Sequence, residues 1–469
     1  MRVRPQLRFF DLVTYGVATS LSVRWMATAA VGGPSSLPLW VFALLAFMAP
    51  LVLATAELVG RFPGEGGLYE WARDAVSPFV GFLTGWLYWT CNLPFFSGIL
   101  YFVIAVLAAA GGPHAQALAR DPAWFAAAAS AIALAVLALQ LAGMGTSKWL
   151  TNAGALALAA LIAALIIMGA AVAIDRGPAT DFSHARWTPL LNADGAALWA
   201  TMVFAYGGPE SLAFLRAEVK GGTAGVLRVL AVIGVLQTAG YTLGTWGILA
   251  ILRPAEVSRL GGVADAFTLA LTRLHAAALA APFLLALALA MMGGYGAWFT
   301  IAARLPFVVG ADRYLPPSFG RRHPTTGAPV TALVVQGIAV VALVWLGEAG
   351  ASVKAAYDFL VAMTVLSYEL PFIVLFAVLI KTQNRPAAAG EWTIPGGPGA
   401  ARLVGWIGLA ATLTAIACTL VPSPDAADKA AAVAKLVFAT AVLIGSGWVV
   451  WALGQRRARV RPAPETLPG

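Results

Sequence analysis

Apolar residues run through this chain in long blocks, and the short stretches between blocks carry most of the charge. About twenty consecutive apolar residues suffice for a helix to cross the hydrocarbon of a bilayer. By length and apolarity the chain holds twelve such segments. They run over residues 10–31, 38–60, 78–110, 122–141, 149–174, 196–215, 227–251, 277–310, 329–346, 357–380, 403–420 and 432–453. The third and eighth exceed what a bilayer needs and are expected to tilt or protrude. The pattern predicts an all-α polytopic membrane protein. Composition agrees, with 60% hydrophobic and 11% charged residues against about 25% charged in soluble domains.

Two of these segments are interrupted near their middles. The sixth contains Phe204-Ala205-Tyr206-Gly207-Gly208-Pro209-Glu210-Ser211. Glycine is conformationally free and proline lacks an amide donor, so a helix is weak there. In hydrocarbon an unpaired backbone group costs several kcal/mol, and a break survives only where it lines protein or a watery cavity. A carboxylate beside such a break is read as functional. The first segment places Ser20-Leu21-Ser22 at a comparable depth, followed by Val23 and Arg24. These two segments correspond if residues 10–174 and 196–380 are five-helix repeats of opposite topology. Interrupted segments at matching places of inverted halves point to a transporter's binding site. Residues 403–453 then form two extra helices, flanked by a cytoplasmic N-terminus at 1–9 and a basic cytoplasmic tail at 454–469.

Net charge is +9, but Lys and Arg lie in the loops and not on one soluble face, so no nucleic-acid partner is expected. With the N-terminus inside, the cytoplasmic loops hold about twice as many Lys and Arg as the outer loops, as the positive-inside rule requires. The expected location is therefore the inner or plasma membrane, multi-pass, with both termini in the cytoplasm. The basic N-terminus leads into a full-length segment and reads as a retained first helix. The tail beyond Leu453 is expected to lie disordered against anionic lipid. Cys91 and Cys418 sit in apolar segments, and the four histidines are scattered. No disulfide framework, metal site or cofactor is expected. No catalytic constellation and no phosphate-binding loop are present, which disfavours an enzyme and an ATP-driven pump.

Four landmarks, in order, resemble the amino acid–polyamine–organocation permeases, in particular the amino acid permease and antiporter branch. They are Glu57-Leu58 followed by Pro63, Gly66-Gly67 and Tyr69; Gly85-Trp86-Leu87-Tyr88-Trp89; Tyr206-Gly207-Gly208-Pro209-Glu210; and Asp312 with Pro316-Pro317, then Ala328-Pro329. The resemblance implies a LeuT-type fold of two inverted five-helix repeats, with helices 1 and 6 interrupted and two further helices. It also implies alternating-access transport of amino acids or related amines. The chain departs from the family's usual glycine-rich first break, which here reads Ser20-Leu21-Ser22. Arg24 stands where the family usually has an apolar or aromatic residue. The lysine that some relatives carry in helix 5 is absent.

The expected substrate site follows. The open amides near Ser22 and Val23 would take a carboxylate, helped by the helix dipole. Carbonyls around Tyr206, Gly207 and Gly208 would take an ammonium. By resemblance Phe204 gates the site, and Tyr88 and Trp298 line the route. Arg24 and Glu210 each follow a break closely and are expected to face the cavity and interact, directly or through water or substrate. If Arg24 takes a substrate carboxylate, an acidic substrate is favoured; if Glu210 is free, a cationic amine is. Glu210 and Glu369 are the candidates for proton coupling. Glu57 is expected to hold the loop after its helix. Asn92 is expected to hydrogen-bond between helices, with polar lining of the route as the alternative, and Arg304 to snorkel or to pair near the Asp312 loop. The function expected is secondary active transport by proton symport or exchange. A sodium-coupled symporter of the same fold and a non-translocating amino acid sensor are the alternatives.

Overall fold

The computed structural model describes residues 9–460 except 63, 65, 184, 186–192, 219–221, 312–313, 349–352, 389–390 and 422–427. Lys220 and the expected segments 1–8 and 461–469 lie outside the described residues, as do Pro63 and Asp312 of the sequence landmarks. The described residues form helices and connecting turns, with no strand among them. Ten helical spans are long and apolar enough to cross a bilayer. They coincide, within a few residues, with the expected second to fifth and seventh to twelfth segments. The first and sixth segments are each broken in two.

The elements that build the site are as follows. The first segment divides into α1 (Phe9–Ser20) and α2 (Val23–Val31). α3 (Ala49–Arg61) continues from a π-helical turn at Leu44–Met48, an irregularity just ahead of Pro50, which has no amide to donate. The third segment divides into α4 (Pro78–Thr90) and α5 (Asn92–Ala110). Then come α6 (Met144–Arg176) and α7 (Ala193–Ala205), with a 3-10 helix at Pro209–Glu218. α8 (Gly222–Ile251), α9 (Ala280–Ala311) and α10 (Val353–Thr382) complete the set. Helix starts are legible locally. The Ser77 hydroxyl accepts from the Val80 amide, and Pro78 fills the first turn, where its missing donor costs nothing.

Between helices in lipid, packing replaces the hydrophobic drive, and small residues let backbones approach. α6 uses glycines for this on two sides. A Cβ on Gly154 would lie 2.5 Å from Gly293 Cα of α9, and one on Gly169 would lie 2.8 Å from Gly247 Cα of α8. Apolar side chains such as Trp149, Ile167, Leu403 and Phe438 stay exposed, as a lipid-facing surface requires. Glu57 fastens one end of the bundle. Its Oε1 accepts from Arg61 Nε at 2.9 Å and Gln383 Nε2 at 2.6 Å, and its Oε2 accepts from the Ile394 amide at 2.9 Å. It therefore holds the segment that follows α10; the expected partner was the loop after its own helix.

Candidate functional site

The two breaks touch. After Ser20 the chain leaves the helix, and Ser22 is extended (φ −145°, ψ 124°) with no side-chain cap on α2. The first amides of a helix have no intrahelical acceptor, so α2 opens uncapped at Val23 and Arg24. In the second break Gly208 has φ +118°, a conformation that L side chains rarely adopt. A Cβ there would also meet Ser20 Oγ at 2.8 Å and Ser20 Cα at 3.1 Å. Glycine at 208 thus permits both the turn and the contact between half-helices.

The freed carbonyls are held from α8 and α9. Gln237 Nε2 donates to Ser20 O and Ala205 O at 2.7 Å each. The Tyr241 hydroxyl lies 3.0 Å from Ser20 O and 3.1 Å from Ala205 O, and accepts from the Ser22 amide at 3.3 Å. Trp298 Nε1 donates to Thr19 O. One glutamine and one tyrosine therefore tie the two breaks together. Sequence reading named neither Gln237 nor Tyr241, because a polar residue in an apolar helix gives no sign of which carbonyl it faces.

A cavity of about 50 Å³, counted as space for water centres, opens between the breaks. That is room for a few waters at about 10–15 Å³ each by this measure, or for one small organic molecule. Among the described residues its wall contains no Asp, Glu, Lys, Arg or His. Of the residues expected in the site, Ser20, Leu21, Ser22, Phe204, Gly207 and Trp298 are in the wall. Val23, Arg24, Tyr206, Gly208, Glu210 and Tyr88 are not among the lining residues. The wall adds Thr19, Trp25, Phe95, Met291, Thr364 and Tyr368, which the sequence did not single out. Asn92 also reaches the wall, while its Nδ2 donates to Tyr88 O of the preceding turn at 2.6 Å.

The other residues of interest lie as follows. The Tyr206 hydroxyl points into the scaffold, donating to Trp40 O at 3.0 Å and lying 3.2 Å from Thr238 Oγ1. Arg304 Nη1 donates to Phe214 O at 3.1 Å. Arg24 and Glu210 form no ion pair with each other. Arg24 lies with its guanidinium carbon 5.0 Å from the Trp25 ring centre and 5.2 Å from that of Phe95. Glu210, fully buried, is held elsewhere. Its Oε1 accepts from the Tyr88 hydroxyl at 2.6 Å and the Tyr368 hydroxyl at 2.5 Å, and its Oε2 accepts from the Gly208 amide at 2.8 Å. The inverted geometry brings the breaks together, but the two side chains leave them in different directions.

Tyr368 is the member of this triad that faces the cavity. Its ring stands edge-on to Phe204 at 5.0 Å and against the backbone of Gly207. Tyr88 packs on Phe214, which in turn covers Gly67 in the loop after α3. The phenol–carboxylate–phenol link thus stands between the cavity and that end of the bundle. Glu369, the next residue along α10, is also fully buried, and neither carboxyl oxygen has a hydrogen-bond partner. Among the described residues no group of three or more His, Cys, Asp and Glu side chains could hold a metal ion.

Comparisons with known proteins agree with this architecture. The family profile described as amino acid permease matches residues 7–446. An uncharacterized transporter of Legionella pneumophila is 27% identical over 89% of both chains. Two relatives come from Lactococcus lactis. A glutamate/gamma-aminobutyrate antiporter is 24% identical over 90% of this chain and 84% of its own. A probable agmatine/putrescine antiporter is 22% identical over 76% of this chain and 75% of its own. Among solved structures, MhsT crystallised with L-phenylalanine superposes with a TM-score of 0.64 at 13% identity, over 89% of this chain and 99% of that one. The fold is therefore of the LeuT type.

Proposed function

This chain belongs to the amino acid permease family, a multi-pass membrane transporter and not an enzyme, and from that premise we propose that it moves amino acids or related amines by alternating access. The observation that carries the reading is the cavity between two abutting helix breaks, Ser20–Ser22 and Tyr206–Gly208. In this reading the substrate carboxylate lies against Leu21 and Ser22 in the wall, ahead of the uncapped N-terminus of α2, where the helix dipole favours negative charge. The ammonium meets the wall formed by break carbonyls and the faces of Phe204 and Trp298, which attract cations. Relatives named as antiporters support exchange of one substrate for another.

The Tyr88–Glu210–Tyr368 link acts as the gate on one side of the cavity. Opening it separates two phenols from a buried carboxylate, and a carboxylate stripped of its donors in low dielectric must regain a proton or a partner. Glu210 thereby couples gate movement to protons, and Glu369, beside Tyr368, is the second carboxyl available for the same purpose. The chain resides in the plasma or inner membrane with both termini in the cytoplasm.

The test is uptake into proteoliposomes containing the purified protein. Amino acid uptake driven by internal substrate or an imposed pH gradient, unchanged when choline replaces sodium, is the expected result. Binding without flux would leave a sensor, and strict sodium dependence would replace the coupling ion.

A further inference from the structure

Arg24 carries a permanent charge at a position 1% exposed, on the second residue of α2 and within the membrane-spanning bundle. Its Nε and Nη2 have no hydrogen-bond partner. No ion pair joins it to an acidic side chain among the described residues. Unpaired buried guanidinium is costly, and in membranes such a residue marks a ligand path or finds a counter-charge. The rings of Trp25 and Phe95 compensate it in part by cation–π attraction. Both rings are also cavity wall, so the guanidinium stands directly behind the surface that a substrate touches.

Most of the surroundings have one electrostatic sense, with Asp358, the residue after Tyr357, as the acidic exception. α2 begins at this point, with its amide ends and the positive end of its dipole. The Tyr357 hydroxyl, from α10, is 2% exposed and lies beside the guanidinium, close enough to interact with it. The cavity wall supplies no carboxylate to balance the charge. Glu210 is turned to the other side and occupied by Tyr88, Tyr368 and Gly208. A positive guanidinium, a helix N-terminus and a neighbouring phenol are together suited to an anion and unsuited to an added cation.

We propose that Arg24 selects for substrates with a second acidic group: dicarboxylic amino acids, whose extra carboxylate is attracted to the guanidinium behind Trp25 and Phe95. The inference rests on the transport reading above and narrows its substrate class. It also gives a reason for arginine at this place, since a ring-packed cation with no ion-pair partner among the described residues gains a counter-charge when such a substrate is bound.

The experiment compares charge against shape. Purified full-length protein is titrated by calorimetry and thermal shift with L-glutamate and L-aspartate, their amides L-glutamine and L-asparagine, and the cations L-arginine and agmatine. Coulombic attraction across the intervening rings predicts a preference of about tenfold for acid over amide. Arg24→Gln should abolish that preference while still binding the amides, and Arg24→Lys should restore part of it. A purely structural guanidinium would leave the acid-to-amide ratio unchanged in Arg24→Gln, and that result overturns the proposal. So does tighter binding of the amides or cations by the unmodified protein, although amino acid transport itself would then stand. Binding of none of these compounds by the folded protein, with no flux, removes the transport reading and this inference together.

Discussion

Gly208 and Ser20 lie in van der Waals contact across the two half-helix breaks, so closely that a single methyl group on Gly208 would come within 2.8 Å of the Ser20 hydroxyl. Backbone conformation adds to the constraint, because φ is +118°. The contact is what makes two separate interruptions into one site. Changes at this point should therefore affect fold and function together.

Gly208→Ala is expected to lower stability by about 1–3 kcal/mol through backbone strain and crowding, with transport lost. Thermal unfolding in detergent checks it. Gly399→Ala is the control, since a Cβ there meets nothing within 4 Å and should leave both readouts unchanged.

Gln237 is the next test. Its amide holds Ser20 O and Ala205 O at once. Gln237→Ala leaves two buried carbonyls short of a donor, at about 1–3 kcal/mol for each group left unsatisfied. Tyr241 lies within reach of both carbonyls, so the loss should fall toward the lower end. Tyr241→Phe combined with Gln237→Ala should cost more than the sum of the single changes, a coupling that a double-mutant cycle reads directly.

Glu210→Gln keeps the shape of the gate and removes its charge. Each phenol can still donate to the amide oxygen, while the Gly208 amide loses its acceptor at about 1–3 kcal/mol, so the protein should fold with lower stability. Exchange of substrate for substrate should persist, while uptake driven by a pH gradient should fall by tenfold or more, on the order of one lost charge-assisted contact. Measuring both modes from pH 5 to pH 8 separates them. Equal pH dependence in the variant and the unmodified protein would remove Glu210 from coupling.

Tyr368→Phe takes away one of two donors to Glu210 Oε1 and leaves the ring that packs on Phe204. Gate closure should weaken by about 1.5–3 kcal/mol, the range for a hydrogen bond to a charged group. A cysteine placed on the cavity wall should then react faster with a membrane-impermeant thiol reagent from the gated side. Unchanged reactivity would mean that the link is structural packing only.

Periodicity and length were enough to place the ten membrane spans found among the described residues, because the cost of burying backbone in lipid forces long apolar runs into helices regardless of partners. The two breaks were legible for the same reason: Gly207-Gly208-Pro209 and Ser20-Leu21-Ser22 are weak points that a helix in lipid would not carry without use. Direction was not legible. Arg24 and Glu210 follow their breaks at similar spacing, yet one turns into an aromatic sandwich and the other into a pair of phenols. Which way a side chain leaves an irregular turn depends on the local dihedrals and on what the opposite helices present. The partners came from distant parts of the chain: Tyr368 lies 158 residues from Glu210 and Gln237 lies 217 from Ser20. The chain by itself determined where the helices run and where they fail. Only the tertiary arrangement decided which groups meet at the failures, because contacts between remote residues are set by packing and leave no periodic trace in the sequence.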